Sequence, residues 1–116
     1  MTYQPTLSKA AIKQIEPLLA FLKANHVDKP VFSPELERLF RLPGPQIRKI
    51  VALLRSRLEP IGSGVDGYFY TRQPENLDGT LNHLIGRRNA IEADIDHIRA
   101  IQDRLRAGEL QAGLLL

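Results

Sequence analysis

The sequence predicts a mainly α-helical chain with one small β-hairpin, ending in a long helix. Three observations predict this class. Aliphatic residues recur at spacings of three and four along the first half, glycines and aromatics cluster between Pro60 and Arg72, and from Leu77 an apolar residue returns at every seventh position. With 116 residues, 43% of them hydrophobic, the chain is long enough for one domain with a single modest core and an appendage. Cysteine is absent, which excludes disulfides, thiolate metal sites and a cysteine nucleophile and suits a reducing compartment. Residues Met1 to Leu7 lack the basic start and apolar run of a signal peptide, and no stretch approaches the ~20 apolar residues that span a bilayer, so a cytoplasmic protein without a membrane partner is expected.

The first helix is expected from Ser8 to Asn25, with Ile12, Ile15, Leu18, Leu19 and Leu22 on its inner face and a kink or fresh start at Pro17, which cannot donate a helical hydrogen bond. Val31-Phe32 is expected as a single strand turn. Ser33-Pro34-Glu35 then reads as a helix start, with serine as N-cap, proline at the first helical position and an acid facing the positive end of the dipole. Leu36, Leu39 and Phe40 supply its apolar face, and Leu42-Pro43-Gly44-Pro45 must end it.

A third helix, Pro45 to Leu58, sets Ile47, Ile50, Val51, Leu54 and Leu58 inward. Its outward residues Gln46, Arg48, Lys49, Ala52, Arg55 and Ser56 mix cations, an amide and small side chains and include no acid. Next come Gly62, Gly64, the turn dipeptide Asp66-Gly67 and Tyr68-Phe69-Tyr70, read as a two-stranded hairpin with positive φ at the dipeptide. Beyond Pro74, Leu77, Leu84, Ile91, Ile98 and Leu105 repeat at sevens with Leu81 and Ile95 between them, a heptad seam interrupted by Arg88 and Gln102 and expected to pair two chains. A helix over 75–107 would be roughly 50 Å long, with Gly108 as its stop. These boundaries divide the chain into residues 1–73, 74–108 and a tail, 109–116.

The charge is uneven. Residues 44–72 carry five basic and two acidic side chains, and residues 73–116 carry five basic and seven acidic, so the net charge of +3 is concentrated ahead of the long helix.

Helix, short strand, helix, proline-glycine turn, amphipathic helix, hairpin and long helix is the element order of a winged helix, whose third helix fits the ~12 Å major groove. The run "GPQIRKIVALLR" followed by "PIGSGVDGYFY" resembles the winged helix-turn-helix domains of bacterial and phage regulators, especially the biotin-repressor-like type. With the preceding helix the resemblance covers residues 17–72, and "TRQPENLDGTLNHLIGRRNAIEADIDHIRAIQ" looks like the C-terminal helix of small phage-type members. Two features depart from the pattern: Glu37 and Arg41 stand where such domains often place a small residue and the turn glycine, and no cation precedes Arg72 in the wing.

The resemblance implies a winged helix-turn-helix followed by a dimerisation helix. Its DNA face would use Gln46, Arg48, Lys49, Ala52, Arg55, Ser56 and Arg72, and its pairing face Leu77, Leu81, Leu84, Ile91, Ile95, Ile98 and Leu105. Double-stranded DNA and a second copy are the implied partners, and transcriptional regulation the implied role. The bland alternative is that the cations merely solvate an amphipathic helix. Two other roles stay open: a protein-docking module with a protein partner, and a DNA-binding factor of replication or partition.

No catalytic constellation, metal or cofactor is expected. His26, His83 and His97 are scattered, and Glu92, Asp94 and Asp96 alternate around a helix. The hairpin glycines lack the lysine and hydroxyl residue of a phosphate loop, and Ser33, Ser56 and Ser63 lie in no nucleophile motif. Tyr68, Phe69 and Tyr70 are expected to pack the hairpin, with stacking on single-stranded bases as the alternative.

Overall fold

The single helix expected over 8–25 is two helices in the computed structural model, which describes residues 6–25 and 28–108. The tail 109–116 and His26 lie outside the described residues. Helix α1 (Lys9–Lys13) is capped by the Ser8 hydroxyl, which accepts from the Ala11 N–H at 3.1 Å, and α2 (Ile15–Lys23) restarts after Gln14 at φ −100° and ψ 0°. The restart puts Pro17 in the first turn of α2, where its missing N–H breaks no helical bond. It also rephases the inner face: Ala11 is buried and Ile12, expected inside, is 57% exposed.

Helix α3 (Ser33–Phe40) begins on its expected cap, one residue earlier than the sequence predicts. Phe32 is the N-cap, because Val31 is already extended in a bridge to Tyr68, and Ser33 instead donates from Oγ to Glu37 Oε2 at 3.3 Å. Helix α4 (Gly44–Ser56) follows. It stops short of Leu58, which takes a left-handed φ of 67°, so that the Leu58 and Glu59 N–H groups fold back onto the carbonyls of Arg55 and Leu54 at 2.9 and 3.0 Å. This is the helix-ending pattern that usually carries glycine at the left-handed position. Leu58 and Leu39, both expected inside, are exposed.

Leu18, Leu22, Leu36, Ile47, Ile50 and Leu54 form the fully buried centre where α1 to α4 meet. Burial of each such side chain is worth about 1.5–3 kcal/mol, which is what holds these short helices together.

Strands β1 (Ile61–Gly64) and β2 (Gly67–Tyr70) pair antiparallel, Ile61 with Tyr70 and Gly64 with Gly67. Positive φ falls on Gly67 alone (+110°) and not on Asp66, so Val65 and Asp66 form the turn and the glycine follows it. Val31 lies against the outer edge of β2, exchanging two backbone hydrogen bonds of 2.8 Å with Tyr68. A Cβ on Gly67 would stand 2.3 Å from the Val31 carbonyl oxygen, so only glycine fits.

Pro74–Leu77 is a 3-10 turn, and α5 (Asp78–Arg106) starts after it, three residues later than expected. Buried Thr80 holds that start to β1, its Oγ1 accepting from the Ser63 N–H and donating to the Ser63 carbonyl, both at 2.9 Å. Gly108, at φ +80°, follows the helix end. The chain divides into two units at Leu81/Asn82. Among the described residues the architecture is thus mainly helical, with five α-helices, a two-stranded antiparallel hairpin and a long C-terminal helix. No described helix is long and apolar enough to cross a membrane.

Candidate nucleic-acid interface

Helix α4 acquires its outer face by elimination. With Ile47, Ile50, Val51 and Leu54 committed to the core, a 3.6-residue repeat leaves Arg48, Ala52 and Ser56 on the far side with Lys49 beside them. Arg48 and Ser56 are exposed, Lys49 and Ala52 half-buried, and no acidic side chain lies on the helix. The Ser56 hydroxyl donates to the Leu53 carbonyl.

Gln46 and Arg55 are not brought into this group. Gln46 stands about 160° round the helix from Arg48, and its Oε1 accepts from the Ser8 N–H at 3.0 Å, tying the chain before α1 to α4. Arg55 lies at the margin facing the hairpin. Its Nε donates to the Ile61 carbonyl at 2.9 Å and its Nη2 to Ser63 Oγ at 3.2 Å. Burial there lowers its pKa from the ordinary arginine value, partly opposed by Tyr68. Arg55 therefore fixes the hairpin on α4, and at most the rest of its guanidinium faces outward.

The turn from α3 into α4 positions the Arg48 end. Arg41 holds a left-handed conformation (φ 54°, ψ 47°), and the Leu42 N–H donates to the Glu37 carbonyl at 3.1 Å. Glu37 Oε1 and Arg48 Nη1 come within 3.4 and 3.5 Å of the point where a Gly44 Cβ would stand. Glutamate in mid-helix and arginine in the turn, the two departures from the expected pattern, are thereby accommodated: the first uses the space beside Gly44, and the second accepts the left-handed backbone. Arg38 and Arg41, both exposed, add cations just ahead of Arg48. Sequence reading omitted them because their helix was judged by its apolar stripe. Their position in the turn that leads into α4 was the available signal.

Beyond the hairpin, Arg72 is exposed and the tip carries exposed Val65 and Asp66 without a cation. At the hairpin base Tyr70 donates its hydroxyl to Glu59 Oε2 at 2.9 Å, and Lys23 Nζ sits 5.9 Å from the centre of the Tyr70 ring. Desolvation, this hydrogen bond and the Glu59 charge raise the Tyr70 pKa, with Arg72 opposing. The three hairpin aromatics are half-buried; Tyr68 and Tyr70 pack on the core, and Phe69 covers the bare Gly62.

Of the residues expected to pair chains, Leu77 falls in the 3-10 turn and is half-buried, whereas Leu81, Leu84, Ile91, Ile95, Ile98 and Leu105 lie on α5 and are 39–56% exposed. Ile101, also exposed, adjoins that stripe and was not anticipated. His83 and His97 are exposed on α5, and no group of three metal-binding side chains occurs among the described residues. Compared with known proteins, the sequence matches no protein-family model and no curated protein.

Proposed function

We propose that the chain is a non-catalytic, double-stranded DNA-binding regulator with a winged helix-turn-helix, in which α4 enters the major groove. The observation that carries this reading is the acid-free outer face of α4. Arg48 and Lys49 flank small Ala52, which allows a duplex to approach closely, and exposed Arg38 and Arg41 precede them at the turn. Helix α3 packs across α4, and the hairpin is pinned to the other end of α4 by Arg55. A helix held at both ends presents its outer face without further ordering, which lowers the entropic cost of binding.

Arginine at position 48 can bridge guanine O6 and N7, Lys49 and Arg41 neutralise phosphate, and the charge-poor hairpin contributes little beyond Arg72. The test is fluorescence anisotropy on a pool of random 30-base-pair duplexes across a salt series. Binding is expected at low salt, and Arg48→Ala with Lys49→Ala should weaken it at least tenfold while lowering the salt slope by about one, the phosphate contact of Lys49. No binding at any salt, or binding indifferent to these two changes, overturns the reading and favours a protein-docking role for the same fold.

A further inference from the structure

We infer that the exposed stripe of α5 is covered by the same stripe of a second copy, lying parallel and in register as a two-stranded coiled coil. The inference stands beside the DNA reading and does not require it.

The stripe fixes the heptad. Leu84, Ile91, Ile98 and Leu105 take the d positions, and Leu81, Arg88, Ile95 and Gln102 take the a positions. The flanking positions are then settled, with Arg87 and Asp94 at g and Glu92 and Arg99 at e. In a parallel pair each g residue meets the e residue five places later on the other chain. Arg87 thus meets Glu92, and Asp94 meets Arg99, so each dimer holds four opposite-charge contacts and no like-charge one at these sites.

Reversing one helix at the greatest overlap, Leu81 against Leu105, sets Glu92 against Glu92 and Asp94 against Asp94. If Arg88 is set against Leu105, Glu92 still meets Arg99 but Asp94 faces Ile101. If the helices slide until Arg87 meets Asp94, Leu105 projects past the start of the other α5. Of the two polar a residues, Gln102 favours the parallel arrangement, and Arg88 faces a second Arg88 there, so its charge must turn outward. Gln102 would face its own equivalent, where one amide donates and the other accepts, instead of being set against an isoleucine. Arg88 already has Glu92 of its own helix at 4.0 Å, and its long stem can lie along the seam while its head reaches the edge. That exit exists beside a two-stranded seam and narrows in larger bundles, which selects the dimer.

Because the full chain has no cysteine, single cysteines report orientation directly. Light scattering should give twice the chain mass. Gln102→Cys and Arg88→Cys should each form a symmetric disulfide quickly in a glutathione buffer and lose that speed in urea, since bridging needs Cα atoms within about 7 Å. Asp94→Arg should raise the dimer dissociation constant about tenfold, and adding Arg99→Asp should restore it. A monomer, a trimer or tetramer, slow cross-linking at both positions, or a double charge swap no better than the single one overturns the inference. A dimer that passes these tests yet binds no duplex leaves it standing and removes only the DNA reading.

Discussion

In α4, Ile47, Ile50 and Leu54 recur at spacings of three and four and are fully buried; in α5, Ile91, Ile95 and Ile98 recur at the same spacings and remain 44–56% exposed. The first set is met by α1, α3 and β1 of the same chain. The second lies on a helix without comparable cover. Equal periodicity therefore specifies that a stripe exists, while the strictness of the repeat indicates what covers it. The α4 stripe includes Val51, broad enough for a many-sided core, whereas the α5 stripe runs along two positions in seven with Ile101 beside it, close to the width of one facing helix.

The largest expected effect tests this contrast. Leu54→Ala should destabilise the protein by about 2–5 kcal/mol, because the cavity it leaves is enclosed by the core. The loss should not depend on protein concentration. Ile98→Ala removes a side chain from an open face, so its effect should vanish in dilute protein and grow with concentration. Urea unfolding followed by circular dichroism at two concentrations a hundredfold apart separates the cases. A concentration-independent loss of similar size for Ile98→Ala would mean that its face is covered within the chain.

The next effect concerns backbone geometry. Gly67→Ala combines a positive φ with a Cβ directed at the Val31 carbonyl, so β2 must release its bridge to Val31 or distort the hairpin. A loss of about 1–3 kcal/mol is expected. It should be accompanied by faster amide exchange at Tyr68, whose N–H donates across that bridge. Unchanged stability would show that the hairpin can shift as a unit.

Element order and the identity of the buried stripe were legible in the sequence because periodicity and proline-glycine punctuation act locally. What escaped was set by contacts distant in sequence. Gln46 and Arg55 carry the same polarity as Arg48, yet one holds Ser8 and the other the strand at Ile61; such pairings depend on where separate elements meet. Ile12 was misplaced inside because its helix breaks at Gln14, three residues before the proline that signalled a break. Leu58 fitted the apolar repeat but falls two residues beyond the helix, where its left-handed backbone closes the helix end. In the candidate interface, the α4 face could be read directly, and the contribution of Arg38 and Arg41 required knowing how α3 turns into α4.

The smallest effects should raise stability, and they differ between the two units in cause. Leu58 is 88% exposed and left-handed, so Leu58→Gly gives up little packing and removes a steric cost of about 1 kcal/mol. Gly86 presents the reverse case on α5: nothing lies within 4 Å of its missing Cβ, and it stands on the side away from the stripe. Gly86→Ala should stabilise α5 by about 0.5–1 kcal/mol through helix propensity alone. If α5 forms only with a second copy, that gain is counted once per helix and must appear in the dimer dissociation constant as about a five- to thirtyfold tightening. The gain from Leu58→Gly must instead appear in the unfolding midpoint, with the dissociation constant unmoved. The same assay on both variants therefore asks whether the two units fold as one cooperative body or as two, and a shift of both quantities by either substitution would answer that they fold as one.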